Sequence, residues 1–350
     1  MSKRKLTRQQ AHRVQRIQDE RLERARRREA AASALLESGE LAAEEPGLVI
    51  AHYGTQLDIE ALAGERAGQV FRCHLRANLE HLVTGDRVVW QAAPRREDGR
   101  EAIGVVTALE ERRSLLVRPD PYGKLKPVAA NIDRILLVIS PFPEPSALLV
   151  DRYLVACALT GIRPVILLNK ADLVTPELAP VMDALLAPYA AIGYEVRRVS
   201  AAAGDMADLA ALIGQQTVVF VGQSGVGKSS LINVLLPAAG QLVRDISEGS
   251  KLGQHTTTTA RLFHLPGGGD LVDSPGVREF QLWHIDEQQL EDSYRDLARF
   301  RGQCRFRDCR HLREPGCALR DAVARGELSG ERLDNFLAIR AGLRDAPATR

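Results

Sequence analysis

No stretch of this 350-residue sequence stays apolar for the ~20 residues that a membrane-spanning helix needs. The opening residues, MSKRKLTRQQ, lack the apolar centre of a signal peptide. Cysteine is scarce and odd in number: there are five, three of them crowded between Cys304 and Cys317. That argues against a disulfide framework and for a metal site in a reducing compartment. Glycine and proline are missing from residues 6–37, where helix is plausible, yet apolar positions there are too sparse for a buried face. These absences lead us to expect a cytoplasmic protein with no membrane partner; we also expect a monomer.

What is present divides the chain into four pieces. At 350 residues, with 45% hydrophobic and 26% charged residues, it is an ordinary soluble composition but too long for one core. The net charge of +2 hides an uneven distribution, because residues 1–30 hold eleven Lys/Arg against four Asp/Glu. Residues 1–45 therefore read as a basic arm, either solvated or ordered on nucleic acid. Pro46 and Gly47 then punctuate the chain. Residues 46–118 contain five short strand-like runs, GLVIAHYG, LDIEAL, QVFRCHLR, GDRVVWQA and AIGVVTALE. Alternation in several of them fits strands with one buried face, and five in so short a span predict a small β-barrel, with an OB-fold as the leading form. Residues 119–282 read as α/β. DRILLVIS, RPVILLNK, YEVRRVS, TVVFVGQ and DLVDSPG are short apolar runs of the kind found in buried parallel strands. Residues 283–350 hold a Cys/His cluster flanked by charged, helical segments.

Within the α/β piece lies GQSGVGKS, residues 222–229, the G-x-x-x-x-G-K-[ST] pattern of a phosphate-binding loop. A β-rich run precedes it and SSLINVLL can form the helix that follows. Glycines let backbone N–H groups close around phosphate oxygens, and the helix start adds positive potential. We therefore expect Gly222, Gln223, Ser224, Gly225, Val226, Gly227, Lys228, Ser229 and Ser230 to bind nucleotide, with Lys228 on the outer phosphates and Ser229 on Mg²⁺. Asn169-Lys170-Ala171-Asp172 follows the run PVILL and resembles the N-K-x-D guanine motif, in which Asp172 would accept from the N1–H and N2–H₂ edge of the base. Ser200-Ala201 resembles its companion motif. Asp273-Ser-Pro-Gly276 resembles D-x-x-G, with Asp273 supporting Mg²⁺ through water and Gly276 sensing the γ-phosphate. Between them GQHTTTTA offers a switch threonine for Mg²⁺; four consecutive threonines leave the register open, and Thr257 is our choice. All the parts of a GTPase are present in rotated order, with the guanine motifs ahead of the phosphate loop. In a doubly wound sheet the ligand loops gather at the carboxyl ends of the strands whatever the order of connection, so a circular permutation keeps the site.

Over residues 46 to about 340 the sequence resembles the bacterial ribosome small subunit-dependent GTPase A family, on NKAD, GQSGVGKSS, GQHTTT and DSPG in this order followed by the Cys/His spacing. The resemblance implies an N-terminal OB-fold, a circularly permuted GTPase domain and a C-terminal zinc domain. It also implies GTP hydrolysis stimulated by the small ribosomal subunit and its rRNA, and a role in late maturation of that subunit. One position stands out. Many GTPases place a Gln directly after D-x-x-G to orient the attacking water, and here that position is Val277. His255, beside the switch threonines, is the candidate replacement, and it matches the residue proposed in the family. The phosphate loop carries Gly225 where related K⁺-dependent enzymes carry Asn, which argues against that route.

Cys304-x₄-Cys309-x-His311-x₅-Cys317 places three sulfurs and one nitrogen within fourteen residues. Cys₃His is a structural Zn²⁺ set, and four protein ligands leave no open position for catalysis. Arg299, Arg301, Arg305, Arg307, Arg310 and Arg313 surround the ligands and would face phosphate. The expectation is a multidomain Zn²⁺-containing GTPase that uses Mg²⁺ with GTP, releases GDP, and acts on the small subunit. Two rival readings stay open: a GTP-dependent RNA clamp in which hydrolysis only times release, and a large-subunit assembly GTPase.

Overall fold

The computed structural model describes residues 41–53, 56–76, 79, 81–93, 103–119, 124–204, 206–237, 260–273 and 285–345. The chain divides into two compact units, the second beginning at Arg113. Residues 1–40, most of the basic arm, lie outside the described residues.

The first unit is a five-stranded barrel of β1 (Glu45–His52), β2 (Gln56–Ala61), β3 (Val70–Leu75), β4 (Arg87–Gln91) and β5 (Gly104–Leu109). β1 pairs antiparallel with β2, β2 with β3, and β5 with β4; β3 and β5 run parallel, and an antiparallel β1–β4 pair closes the ring. Every one of the five expected runs forms a strand. Alternate residues point inward, so Val49, Leu57, Ile59, Cys73, Val88, Trp90 and Val106 make the core. Each large side chain there contributes roughly 1.5–3 kcal/mol of burial. Trp90 packs so tightly on β1 that a Cβ at Gly47 would lie 2.6 Å from its Cδ1 and 2.5 Å from Ile59 Cγ2. Only glycine fits there. Asp86 is fully buried, and it accepts from the Val83 N–H at 2.7 Å and from the Arg112 guanidinium at 2.7 and 2.8 Å.

The second unit opens with an antiparallel hairpin, β6 (Leu115–Pro119) and β7 (Leu125–Ala130). The α/β sheet follows: β8 (Arg134–Ile139), β9 (Arg163–Leu168), β10 (Glu195–Arg198), β11 (Thr217–Val221), β12 (Arg261–His264) and β13 (Asp270–Asp273). Their spatial order is β10-β9-β8-β11-β13-β12, all parallel except β12, which runs antiparallel to β13. Both faces of the central strands are covered: Leu136, Val138, Val165, Leu167, Val218 and Phe220 form the core on one face, and the intervening Ile135, Leu137, Ile166, Leu168, Val219 and Val221 are buried as well, so the strands show little apolar/polar alternation. The chain runs outward from β8 through β9 to β10. It then returns to place β11 on the other side of β8, and β13 and β12 extend the sheet beyond it. The direction of winding reverses between β8 and β11, and a doubly wound sheet binds its ligand at that reversal.

Helices α1 (Ala147–Thr160), α2 (Ala179–Ala191), α3 (Ala207–Ile213) and α4 (Lys228–Leu235) connect these strands. α1 starts where Ser146 Oγ accepts from the Leu149 N–H and stops at Gly161, whose φ of +69° suits glycine. Three further helices, α5 (Glu287–Ser293), α6 (Ala318–Ala324) and α7 (Gly330–Asp345), build a small second core on Leu290, Tyr294, Leu319, Leu333 and Phe336, joined by Val155 of α1. A buried ion cluster fastens α7 to α1. Arg332, with its side chain 4% exposed, donates to Asp151 of α1 and to both oxygens of Asp296 at 3.1 and 2.8 Å. Asn335 donates to the other Asp151 oxygen at 2.9 Å. Burial raises the Asp151 carboxyl above its ordinary value, and Arg332 opposes that rise.

Candidate nucleotide site and candidate metal centre

The phosphate loop spans the turn from β11 to α4, beside the reversal point. Three of its glycines take left-handed backbone, Gly222 at φ +141°, Gly225 at +84° and Gly227 at +93°. Gly222 also has no room for a side chain, since a Cβ would lie 2.2 Å from the Val138 carbonyl oxygen of β8. Ser224 and Gly225 are exposed at the crest, Val226 plugs the sheet core, and Gln223, Ser229 and Ser230 line the loop and the first turn of α4. Lys228 is buried, and its ammonium donates to the Gly222 and Gln223 carbonyls at 2.7 and 2.6 Å. The loop's own oxygens thus hold the charge inside the turn.

Asn169 leaves the end of β9 and is buried at 1% exposure. Its amide serves two loops at once: Nδ2 donates to the Val226 carbonyl at 2.9 Å, and Oδ1 accepts from the Ala201 N–H at 3.3 Å. Only a side chain with both a donor and an acceptor can do this. Lys170 sits at φ +58° and donates from Nζ to Gly225 O at 2.7 Å and Phe142 O at 2.8 Å. Asp172 is exposed and accepts from Ser200 Oγ, which in turn accepts from the Ala203 N–H at 3.1 Å. The Ser200 hydroxyl therefore fixes one carboxylate oxygen of Asp172. Asp273 is buried at the end of β13, adjacent to β11. A buried carboxylate on the strand next to the one that leads into the phosphate loop suits a hydrated Mg²⁺.

The structure thus gathers Asn169, Lys170, Asp172, Ser200, Ala201, the whole run Gly222–Ser230 and Asp273 along one edge of the sheet, from segments that are far apart in sequence. His255, Thr257, Gly276 and Val277 lie outside the described residues. One participant gave no sequence signal: the segment after β8, whose Phe142 carbonyl receives both Lys170 Nζ and Ser140 Oγ, the latter at 2.7 Å. A backbone oxygen has no side-chain signature.

The four ligand atoms of Cys304, Cys309, His311 and Cys317 lie within 4.8 Å of one another. His311 Nδ1 is 3.6 Å from Cys304 Sγ and 3.4 Å from Cys317 Sγ. A nitrogen at ~2.0–2.1 Å and a sulfur at ~2.3 Å from a tetrahedral Zn²⁺ lie ~3.6 Å apart, so the cluster has the dimensions of such a site. Burial, aided by Arg340, lowers the His311 pKa and so favours the neutral imidazole that ligation requires. Burial pushes the Cys309 thiol up to about 12, with crowding by Cys317 and Cys304 adding to it. Glu314 organises the loop that carries His311. Its carboxylate accepts from the N–H groups of Arg310, Leu312 and Arg313 at 3.0, 2.8 and 3.0 Å. Bonds from its own and these backbone N–H groups hold its carboxyl down to about 2. Arg320 of α6 donates to His311 O at 3.0 Å, and Arg340 of α7 donates to Arg310 O, so both helices brace the ligand loop.

The reversed winding, the phosphate loop and the convergence of NKAD on it define a circularly permuted P-loop GTPase. Comparison with known proteins places the chain further. Residues 109–283 match the family model described as RsgA GTPase. A protein of Azotobacter vinelandii named small ribosomal subunit biogenesis GTPase RsgA is 55% identical over 344 residues, covering 98% of each chain. A protein of the same name from Pseudomonas fluorescens is 54% identical over 346 residues, covering 99% of each. Among solved structures, YjeQ from Thermotoga maritima aligns with a TM-score of 0.69 at 28% identity, over 87% of this chain and 99% of that one. YloQ, described as a circularly permuted GTPase, aligns at 0.67 and 30% identity, over 87% of this chain and 96% of that one. The chain belongs to the RsgA GTPase family, and it hydrolyses GTP to GDP and phosphate.

Proposed function

We propose that this GTPase acts in the cytoplasm in late maturation of the small ribosomal subunit, which stimulates its hydrolysis and which it binds through rRNA in a nucleotide-dependent way. The observation that carries this reading is near-full-length identity of 55% and 54% to two proteins named for small-subunit biogenesis. Those names set aside the large-subunit alternative.

In this reading Asp172 accepts from the guanine edge, oriented by Ser200. Asn169, Lys170 and Ala201 shape the base pocket, while the backbone N–H groups of Gly222–Ser230 cradle the phosphates. Ser229 and Thr257 would hold Mg²⁺ with support from Asp273, and the ion would neutralise phosphate charge. Gly276 senses the γ-phosphate. Water attacks the γ-phosphorus, the bond to the β–γ bridging oxygen breaks, and GDP departs. Lys228 stabilises the negative charge that develops there. His255 orients the water in place of the amide that Val277 cannot supply. Cys304, Cys309, His311 and Cys317 hold one structural Zn²⁺, whose closed ligand set pins the arginine-rich loop. The basic arm adds phosphate contacts.

Cosedimentation with isolated small and large subunits, with a non-hydrolysable GTP analogue and with GDP, tests this reading. Binding to the small subunit that is stronger with the analogue is expected. Equal binding to both subunits in both nucleotide states contradicts it.

A further inference from the structure

The loop between the first two cysteine ligands reads Arg305-Phe306-Arg307-Asp308, and Phe306 is 42% exposed at its tip. The small C-terminal core is built from other side chains, so burial does not account for this ring. Arg305 backs it, with the guanidinium carbon 5.5 Å from the ring centroid. Arg305 is itself fixed, donating its N–H to Gly316 O at 2.9 Å and packing its stem on Gly316. Arg307 follows the ring in sequence, Arg310 and Arg313 lie further along the same ligand-bearing loop, and all three are exposed. Neighbouring arginines have acidic partners, Arg301 with Asp292 and Arg325 with Glu327, but none of these three forms an ion pair among the described residues. A cavity of about 290 Å³ lies against Phe306 and Arg307. Cys304, Cys309 and His311 also line it, so it belongs to the candidate metal centre, and the exposed ring face is the feature left to offer a partner.

A rigid aromatic face beside uncompensated guanidinium groups fits one polymer best. Unpaired nucleotides present a π-face and a phosphate at each step, whereas an A-form helix hides its base faces. We propose that the metal-pinned loop is a reader of single-stranded RNA, in which an unstacked base lies on Phe306 while Arg307, Arg310 and Arg313 take the flanking phosphates. This rests on the rRNA-binding reading above and narrows it to unpaired RNA at this loop.

The test uses full-length, metal-loaded protein and fluorescence anisotropy with a short unpaired RNA and the same sequence annealed to its complement. Phe306→Ala is expected to weaken the unpaired RNA by about 5- to 150-fold, the range of base–aromatic stacking, and to leave the duplex unchanged. Phe306→Trp should retain binding, and Phe306→Leu, apolar but without a π-face, should lose it as alanine does. Unchanged zinc content in each variant shows that the loop is intact. Wild-type affinity in Phe306→Leu, or equal losses for unpaired and duplex RNA, overturns the proposal while the rRNA reading stands. Loss of small-subunit binding in Phe306→Leu without any change for RNA would assign the ring to a protein partner and likewise overturn it. If an Arg307→Ala/Arg310→Ala variant also leaves both RNAs and the small subunit unaffected, the rRNA reading of this loop fails as well.

Discussion

Asn169→Ala tests how the nucleotide loops are held together. The wild-type amide joins Val226 O at 2.9 Å to Ala201 N at 3.3 Å and is 1% exposed. Truncation orphans the Val226 carbonyl at a buried site, which costs about 1–3 kcal/mol. The Ala201 N–H is only half-buried and water can reach it, so its loss adds about 0.5 kcal/mol. The total is about 1.5–3.5 kcal/mol. Both bonds exist before nucleotide arrives, so this cost divides between two readouts. If the loops keep their positions, it appears as lost stability of the free protein. If they relax, binding must reassemble them and it appears as lost GTP affinity, up to about 10- to 400-fold. The sum of the two is therefore the predicted quantity. Chemical denaturation of the nucleotide-free protein and titration with a fluorescent GTP analogue measure the two parts. Changes in both that together stay below about 0.5 kcal/mol would refute the idea that Asn169 ties the loops.

Asp172→Asn should weaken GTP and gain xanthine nucleotide, because the amide inverts one partner of the base edge; unchanged preference for GTP over XTP in direct competition would count against the guanine assignment. Arg332→Met leaves Asp151 and Asp296 buried without their cation, a loss of about 3–5 kcal/mol. In a unit of this size that lowers Tm by roughly 6–20 °C, and a calorimetric shift under about 2 °C would show that the cluster contributes little. Glu314→Ala removes the acceptor of three loop N–H groups, so zinc should leave faster under chelator challenge, read with a colorimetric zinc indicator; a wild-type release rate would mean that the loop closes without it. Stripping the metal should unfold the C-terminal helices, seen as lost helical circular dichroism that zinc restores; full helicity without metal would contradict a structural role.

Elements with a strong local period were legible in the sequence. The barrel strands alternate apolar and polar residues, and the parallel strands are unbroken apolar runs. The phosphate loop is readable because its glycines answer a local backbone demand. Three strands were not named. The β6–β7 hairpin carries Pro119, Lys126 and Pro127, which blur its alternation. β12 is four residues at the sheet edge, too short to show a period. Long-range partnerships were also hidden. Arg332 and Asp151 lie 181 residues apart on helices whose charged residues look solvated in isolation. Asn169 was read as shaping a base pocket, and the two loops it joins emerge only once β10, β9, β8 and β11 lie side by side.

The central claim is that the small subunit switches this enzyme on. It is tested most directly by GTP turnover of the protein alone, with isolated small subunits and with isolated large subunits. Free turnover should be slow, because Val277 offers the water no hydrogen bond. Small subunits should raise it by orders of magnitude, large subunits should leave it unchanged, and His255→Ala should remove most of the stimulation while preserving analogue affinity. Equal stimulation by both subunits, or by neither, would contradict the account.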